Sequence, residues 1–178
     1  MIANKLNMKI LIISDIHGSL SDIRKIILLE EKENFDQIII LGDILHKGMY
    51  EDSTESTQVS MLLNLLSDKI IAVRGNCDDE YDLKLLDFEL PRKRELLIDG
   101  YYWHLMHGNK VELDKKEGII YLMGHTHIPC ISKNTINPGS ISQPRGNSKN
   151  SYIIYHDKTF SLYNLNTNEL TQKITLED

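Results

Sequence analysis

Three short, uninterrupted apolar runs limit the folds open to this chain more than any other feature: Lys9–Ser14 (KILIIS), Gln37–Leu41 (QIIIL) and Lys69–Val73 (KIIAV). A strand with one wet face alternates apolar and polar residues, so runs without alternation fit strands buried on both faces. Between them lie two segments with helical spacing. Ser19–Asn34 carries Ile23, Ile26, Ile27 and Glu30 on one stripe, with Ser19 or Ser21 placed to cap its first turn. Glu55–Leu66 carries Val59, Leu62, Leu63 and Leu66. Strand–helix–strand–helix–strand implies parallel pairing, because parallel neighbours need a crossover and helices to cover the sheet.

After Pro91 the pattern changes. Glu95–Ile98 and Tyr101–His107 flank Asp99-Gly100, a dipeptide suited to a tight type I′ hairpin turn. Further strands are expected at Ile119–Met123, Ile131–Ile136, Ser151–His156, Thr159–Leu165 and Leu170–Thr175, with a turn at Asp157-Lys158. An α/β first half and a mostly β second half bury each other best as two face-to-face sheets with helices outside. No linker or repeat interrupts the 178 residues, so one domain spanning 1–178 is expected, with Met1–Asn7 a flexible extension and Met8 an alternative start.

Composition narrows the function classes. The chain is 41% hydrophobic and 26% charged, and its longest apolar runs fall far short of the ~20 residues a membrane-spanning helix needs. A net charge of −6 argues against general nucleic-acid binding, which needs a basic face. Only Cys77 and Cys130 are present, so no disulfide framework is expected, and with no signal-peptide pattern at the start the expected compartment is the cytoplasm.

The polar residues of interest each follow an expected strand: Asp15-Ile16-His17-Gly18, Gly42-Asp43, Gly75-Asn76-Cys77-Asp78, His107-Gly108 and Gly124-His125-Thr126-His127. Open α/β sheets gather their functional loops at such strand ends. Five ends thus deliver Asp15, His17, Asp43, Asn76, His107, His125 and His127, all oxygen or nitrogen donors. In D-x-H and H-x-H, strand alternation would put residues i and i+2 on one side, where two ligands can converge on one ion. Each fragment alone is weak; all five in order point to a metal centre.

That ordered pattern resembles the calcineurin-like metallophosphoesterase superfamily, and within it the small single-domain YfcE-type phosphodiesterases. The resemblance runs from about Met8 to Arg145. It implies a four-layer α/β/β/α sandwich of two packed mixed β-sheets flanked by helices, carrying two divalent metal ions. By residue-for-residue transfer, Asp15, His17 and His127 would hold one metal, Asn76, His107 and His125 the other, and Asp43 would bridge both. The implied activity is phosphodiester hydrolysis by in-line attack of a metal-bridging hydroxide. Two dications, two aspartates and a hydroxide leave the site at about +1, matched to a phosphodiester monoanion. Manganese is the first expectation, with iron, magnesium, nickel or zinc as alternatives, since these ligands do not select one ion.

One position departs from the family. Many members place a histidine after the glycine-asparagine pair, whereas this chain has Cys77. Its thiol is either a weak proton donor or a small buried hydrophobe beside Asn76. Asp78 either bonds a ligand histidine or caps the following helix. Asn76 would also touch substrate. The stretch Asn137-Pro138-Gly139-Ser140 with Pro144-Arg145 resembles the family's later loop, where Arg145 either contacts substrate phosphate or is solvated. His46 is expected to be exposed in the loop after Asp43, and His104 to point away from the His107 side of its strand. His156 is read as structural or exposed, and Tyr101 and Trp103 as core.

The expected partner is a small phosphodiester, with neither nucleic acid nor membrane, and a homo-oligomer is allowed. Two alternatives stand beside the phosphodiesterase: a phosphomonoesterase on the same centre, and a non-catalytic protein-binding scaffold like the phosphoesterase-like subunit of the retromer coat. Complete occupancy of the seven ligand positions favours catalysis.

Overall fold

The computed structural model describes residues 8–45, 53–109 and 118–177. Along the chain run β1 (Ile10–Ile13), α1 (Leu20–Glu33), β2 (Gln37–Ile40), α2 (Ser53–Asn64), β3 (Ile70–Ala72) and α3 (Asp82–Leu85). These are followed by β4 (Lys93–Ile98), β5 (Tyr101–Met106), β6 (Ile119–Leu122), β7 (Cys130–Ile131), β8 (Thr135–Asn137), β9 (Ser151–His156), β10 (Thr159–Asn164) and β11 (Leu170–Thr175). They form two mixed sheets, in the orders β11-β10-β9-β1-β2-β3 and β4-β5-β6-β8-β7. The expected α/β sandwich of two packed mixed sheets with flanking helices is the fold found.

The apolar runs are explained by two cores on opposite faces of the first sheet. Leu11 and Ile13 of β1, Ile38 and Ile40 of β2, and Ile70 and Ala72 of β3 pack with Ile23 and Ile26 of α1 and Val59 and Leu63 of α2. Their alternate neighbours Ile10, Ile12, Ile39, Leu41 and Val73 face the second sheet, against Trp103, Leu105, Ile120 and Leu122. Each fully buried Ile or Leu contributes about 1.5–3 kcal/mol, so neither face tolerates a polar residue. Trp103 is fully buried there, edge-on to Tyr155 and beside Phe160. Glu30, on the core-facing stripe of α1, is buried but satisfied: it accepts from Phe35 N (2.9 Å) and Lys69 Nζ (2.6 Å).

The parallel pairing of β1, β2 and β3 and the Asp99-Gly100 hairpin are as expected; both turn residues have positive φ (49° and 86°), as a type I′ turn requires. The expected strand Ile131–Ile136 is instead two short antiparallel strands, β7 and β8. The polar segment Ser132-Lys133-Asn134 turns the chain, with Ser132 N donating to Thr135 O and Thr135 N to Ser132 Oγ. The second helix lies two residues earlier than its apolar spacing suggests, and Ser67–Lys69 closes it with a turn of 3₁₀ helix. Ser19 precedes α1 without a side-chain cap; its hydroxyl instead donates to Asp22 Oδ2 (2.6 Å).

Candidate metal centre

The ends of β1, β2, β3, β5 and β6 meet at one end of the sandwich. The β1 and β2 loops are stitched together: Asp15 N donates to Gly42 O, Ile16 N and His17 N both donate to Asp43 O, and Gly18 N donates to Ile44 O. Gly42 lets the β2 loop close on the loop after β3 and on His107. Its φ is +92°, and a Cβ there would stand 2.6 Å from Gly75 N and 2.9 Å from His107 Nδ1.

Asp15, His17, Asp43, His125 and His127 all have left-handed backbone, with φ between 46° and 66°. Such conformations cost non-glycine residues about 1 kcal/mol or more each and persist only where neighbours hold them. The strand ends have thus already turned out of the pleat. Asp15 and His17 share a donor group with His127, whereas the His125 ring lies against that of His107 rather than beside His127.

Asp43 is 2% exposed. Its Oδ1 accepts from Cys77 N (2.8 Å), and its Oδ2 lies 3.2 Å from His107 Nε2 and 3.8 Å from His17 Nε2. Burial pushes this carboxyl upward, but the hydrogen bond and charge of His107, with the Cys77 N–H, hold it well below the ordinary carboxylate range. The same contact works on His107: burial disfavours its charged form, and Asp43 more than reverses this, raising its pKa. His127 is raised chiefly by Asp15. His125 is lowered by burial and then by the charge of His107, whose ring lies 5.1 Å away. Burial, followed by the charge of Asp43, pushes the Cys77 thiol up to about 12.

Two histidines turn Nδ1 away from the centre. His107 Nδ1 donates to Leu41 O (2.7 Å) and His127 Nδ1 donates to Gln143 O (2.6 Å). Their Nε2 atoms face inward, toward Asp43 and Asp15, and in the neutral ring would offer a lone pair to a cation. His17 Nε2 faces His127 Nε2 at 3.3 Å. Asp15 Oδ2 accepts from His125 N (3.0 Å), whereas Oδ1 is buried without a hydrogen bond, 3.3 Å from His127 Nε2. Imidazole nitrogens and carboxylate oxygens, buried and converging with one Asp15 oxygen left without a hydrogen bond, are a donor set that fits divalent metal. Three overlapping donor groups lie within 4.8 Å: Asp15, His17 and His127; Asp15, Asp43 and His107; and His17, Asp43 and Cys77. Asn76, exposed at the mouth, brings Oδ1 to 3.1 Å from His107 Nε2.

Two residues within the sequence motifs support the centre in ways those motifs do not show. Asp78 neither bonds a ligand histidine nor caps a helix, the two roles its sequence position suggests. Its buried carboxylate accepts from Asp43 N (2.9 Å), Ile44 N (2.7 Å) and Gly75 N (2.7 Å), tying the second and third loops together, while Asp79 caps the turn into α3. Ser140 Oγ donates to Asp15 O (2.7 Å) and accepts from Gln143 N (2.8 Å), so one hydroxyl steadies Asp15 and the carbonyl that orients His127. The Asn137-Pro138-Gly139-Ser140 stretch was visible in sequence, but not this role. Arg145 is exposed, its N donating to His127 O and its positive charge felt at His127. His104 lies outside the centre, 3.7 Å from Glu95, His156 is exposed, and Tyr101 donates its hydroxyl to Glu177 O. His46 falls outside the described residues.

Residues 8–159 match the model of the calcineurin-like phosphoesterase superfamily domain. The chain is 32% identical over 183 residues to phosphodiesterase YfcE of Escherichia coli strain K12, covering 95% of this chain and 98% of that protein. The solved structure of YfcE, described as a phosphoesterase from E. coli, superposes with a TM-score of 0.87 at 30% identity, over 96% of this chain and 100% of that one. A Vps29 single mutant from Entamoeba histolytica shares the fold (TM-score 0.64, 18% identity, 96% and 100% coverage). With the donor set at the strand ends, these matches show that the chain belongs to the calcineurin-like phosphoesterase superfamily, hydrolases of phosphate esters.

Proposed function

We propose that this protein is a metal-dependent phosphodiesterase with a dinuclear centre. Asp15, His17 and His127 hold one ion, Asn76, His107 and His125 the other, and Asp43 reaches both. The observation that carries this reading is the position of Asp43 Oδ2, 3.8 Å from His17 Nε2 and 3.2 Å from His107 Nε2, with Asp43 sharing a 4.8 Å donor group with Asp15 and His107. Bound there, two divalent cations, manganese first, supply Lewis acidity and a hydroxide nucleophile at neutral pH.

The chain's own groups do the rest. The Nδ1 bonds to Leu41 O and Gln143 O keep His107 and His127 in the ligating tautomer. Asn76, whose Oδ1 lies by His107, and Arg145, whose N bonds to His127 O, are exposed and would meet a phosphate oxygen. In the metal-free fold, burial and then the charge of Asp43 push the Cys77 thiol up to about 12. A thiol is a weak donor, so esters whose leaving oxygen needs no proton are turned over best. The net charge of −6 favours small soluble diesters over nucleic acid. None of the described helices is long and apolar enough to cross a membrane, and Cys77 and Cys130 are free thiols; a single functional unit working in the cytoplasm is the matching proposal.

The test is hydrolysis of an aryl phosphodiester and its matching monoester by metal-stripped and manganese-reloaded protein. Faster reloaded turnover of the diester is expected. Preference for the monoester would replace the reading with a phosphomonoesterase. No turnover by protein holding two metals would favour the non-catalytic scaffold.

A further inference from the structure

Only one of the three donor groups contains sulfur, and the ligand assignment proposed above leaves that sulfur out. We propose that Cys77 Sγ, His17 Nε2 and a carboxylate oxygen of Asp43 form a capture site for one thiophilic divalent cation of the zinc and cadmium class, which prevents the two working ions from binding together. The inference rests on the dinuclear reading, because it concerns what that centre excludes.

The three donors lie within 4.8 Å of one another, a spacing that small side-chain adjustments close around one ion. Cys77 is held in place from both sides: its N donates to Asp43 Oδ1 (2.8 Å), and its sulfur accepts from Asn76 Nδ2 (3.1 Å). The residue is only part-buried, and its neighbour Asn76 is exposed. Sulfur, imidazole and carboxylate form a three-ligand set with a fourth position left for water, which suits zinc and cadmium, whereas manganese and magnesium prefer oxygen. On binding, the Cys77 thiol releases its proton to solvent and its sulfur takes the cation.

Competition follows from shared ligands. His17 belongs to the first working position and Asp43 to both, so an ion drawn toward Cys77 takes one ligand from each. Cys130, the other thiol, is exposed and belongs to no such group among the described residues. The role separates hard from soft cations at a centre whose other ligands do not.

The experiment uses the full chain with Cys130→Ser, with and without Cys77→Ser, stripped of metal and titrated with cadmium. The Cys77 form is expected to show an ultraviolet thiolate-to-cadmium charge-transfer band that saturates with one ion and is missing after Cys77→Ser. Cadmium should also inhibit manganese-supported turnover. After normalising each protein to its own rate, the half-inhibiting concentration should rise roughly tenfold or more in Cys77→Ser, since even outer-shell changes shift metal affinity by ~10–100-fold. Cys77→Ala stands in if the serine variant does not fold. Cadmium binding without the band, a band that survives loss of Cys77, or equal inhibition of both forms would overturn the proposal. The band needs no substrate: a band without any manganese-dependent hydrolysis sinks the phosphodiesterase reading alone, and hydrolysis without a band sinks the capture site alone.

Discussion

Replacing Asp78 by alanine removes the acceptor for three backbone N–H groups at once, those of Asp43, Ile44 and Gly75, at 2.9, 2.7 and 2.7 Å. The side chain is buried, so those donors have no nearby bulk water to turn to. A buried donor left unpaired costs roughly 1–3 kcal/mol, which gives roughly 3–9 kcal/mol for three. Two effects reduce the sum. Burial and the charge of Asp43 raise the pKa of Asp78, so removing the carboxylate also removes an unfavourable buried charge, and the vacated space admits water. A net loss of about 3–5 kcal/mol is expected, a large part of the ~5–15 kcal/mol that holds a typical domain together. At ~2–4 °C per kcal/mol for a chain of this length, the melting temperature falls by about 6–20 °C. Asp78→Asn keeps one acceptor oxygen and should lose less than half as much. The assay is urea and thermal unfolding of metal-stripped protein, with manganese affinity measured in parallel, because both tied loops carry proposed ligands. A loss below about 1 kcal/mol for alanine, or wild-type manganese affinity in both variants, would refute the reasoning.

Further outcomes follow from the same geometry. His107 and His127 have raised pKa values in the metal-free fold, so the stability they contribute is complete below the ordinary value of about 6.5 and is lost as pH rises through the folded values. Metal needs the neutral rings, so the rise in melting temperature on adding manganese should grow from about pH 6 to pH 8; a constant rise would contradict this. Asp43 is lowered and acts at the acid end, where its contribution is present above about 3.9 and lost as pH falls through its folded value. Gly75→Ala would bring a Cβ to 2.1 Å from Asp43 Oδ1, and a loss of about 1–3 kcal/mol or more with at least tenfold weaker manganese binding is expected by unfolding and titration. Ser140→Ala should cost about 1–3 kcal/mol and weaken manganese binding, since Asp15 O loses a donor and Gln143 N its acceptor.

Sequence patterning revealed most where one physical cause acts alone. The β1–β3 runs are apolar throughout because alternate residues feed two different cores, and no other arrangement requires that pattern. The strand-end loops were legible because glycine, aspartate and histidine recur there in order. What stayed hidden depends on long-range geometry. The left-handed φ of His17 and His127 leaves little trace in the sequence, since histidine is enriched in such backbone yet adopts it at only a minority of its positions. Asp78 looked like a helix cap because capping is the local use of an aspartate, while its partners lie 34 and 35 residues away as well as three. The break at Ser132-Lys133-Asn134 was masked by the apolar residues on either side of a three-residue turn.

The central claim is that Asp43 joins two metal positions into one hydrolytic centre. The most direct measurement is aryl phosphodiester hydrolysis by wild type and Asp43→Asn, each stripped and reloaded with manganese, with bound metal counted and the fold checked by circular dichroism. The account predicts manganese-restored turnover with two ions in wild type, and in the variant a folded protein with fewer ions and turnover reduced by roughly a hundredfold or more. Wild-type turnover by Asp43→Asn would contradict it, as would a wild-type protein that holds two ions and hydrolyses no phosphoester.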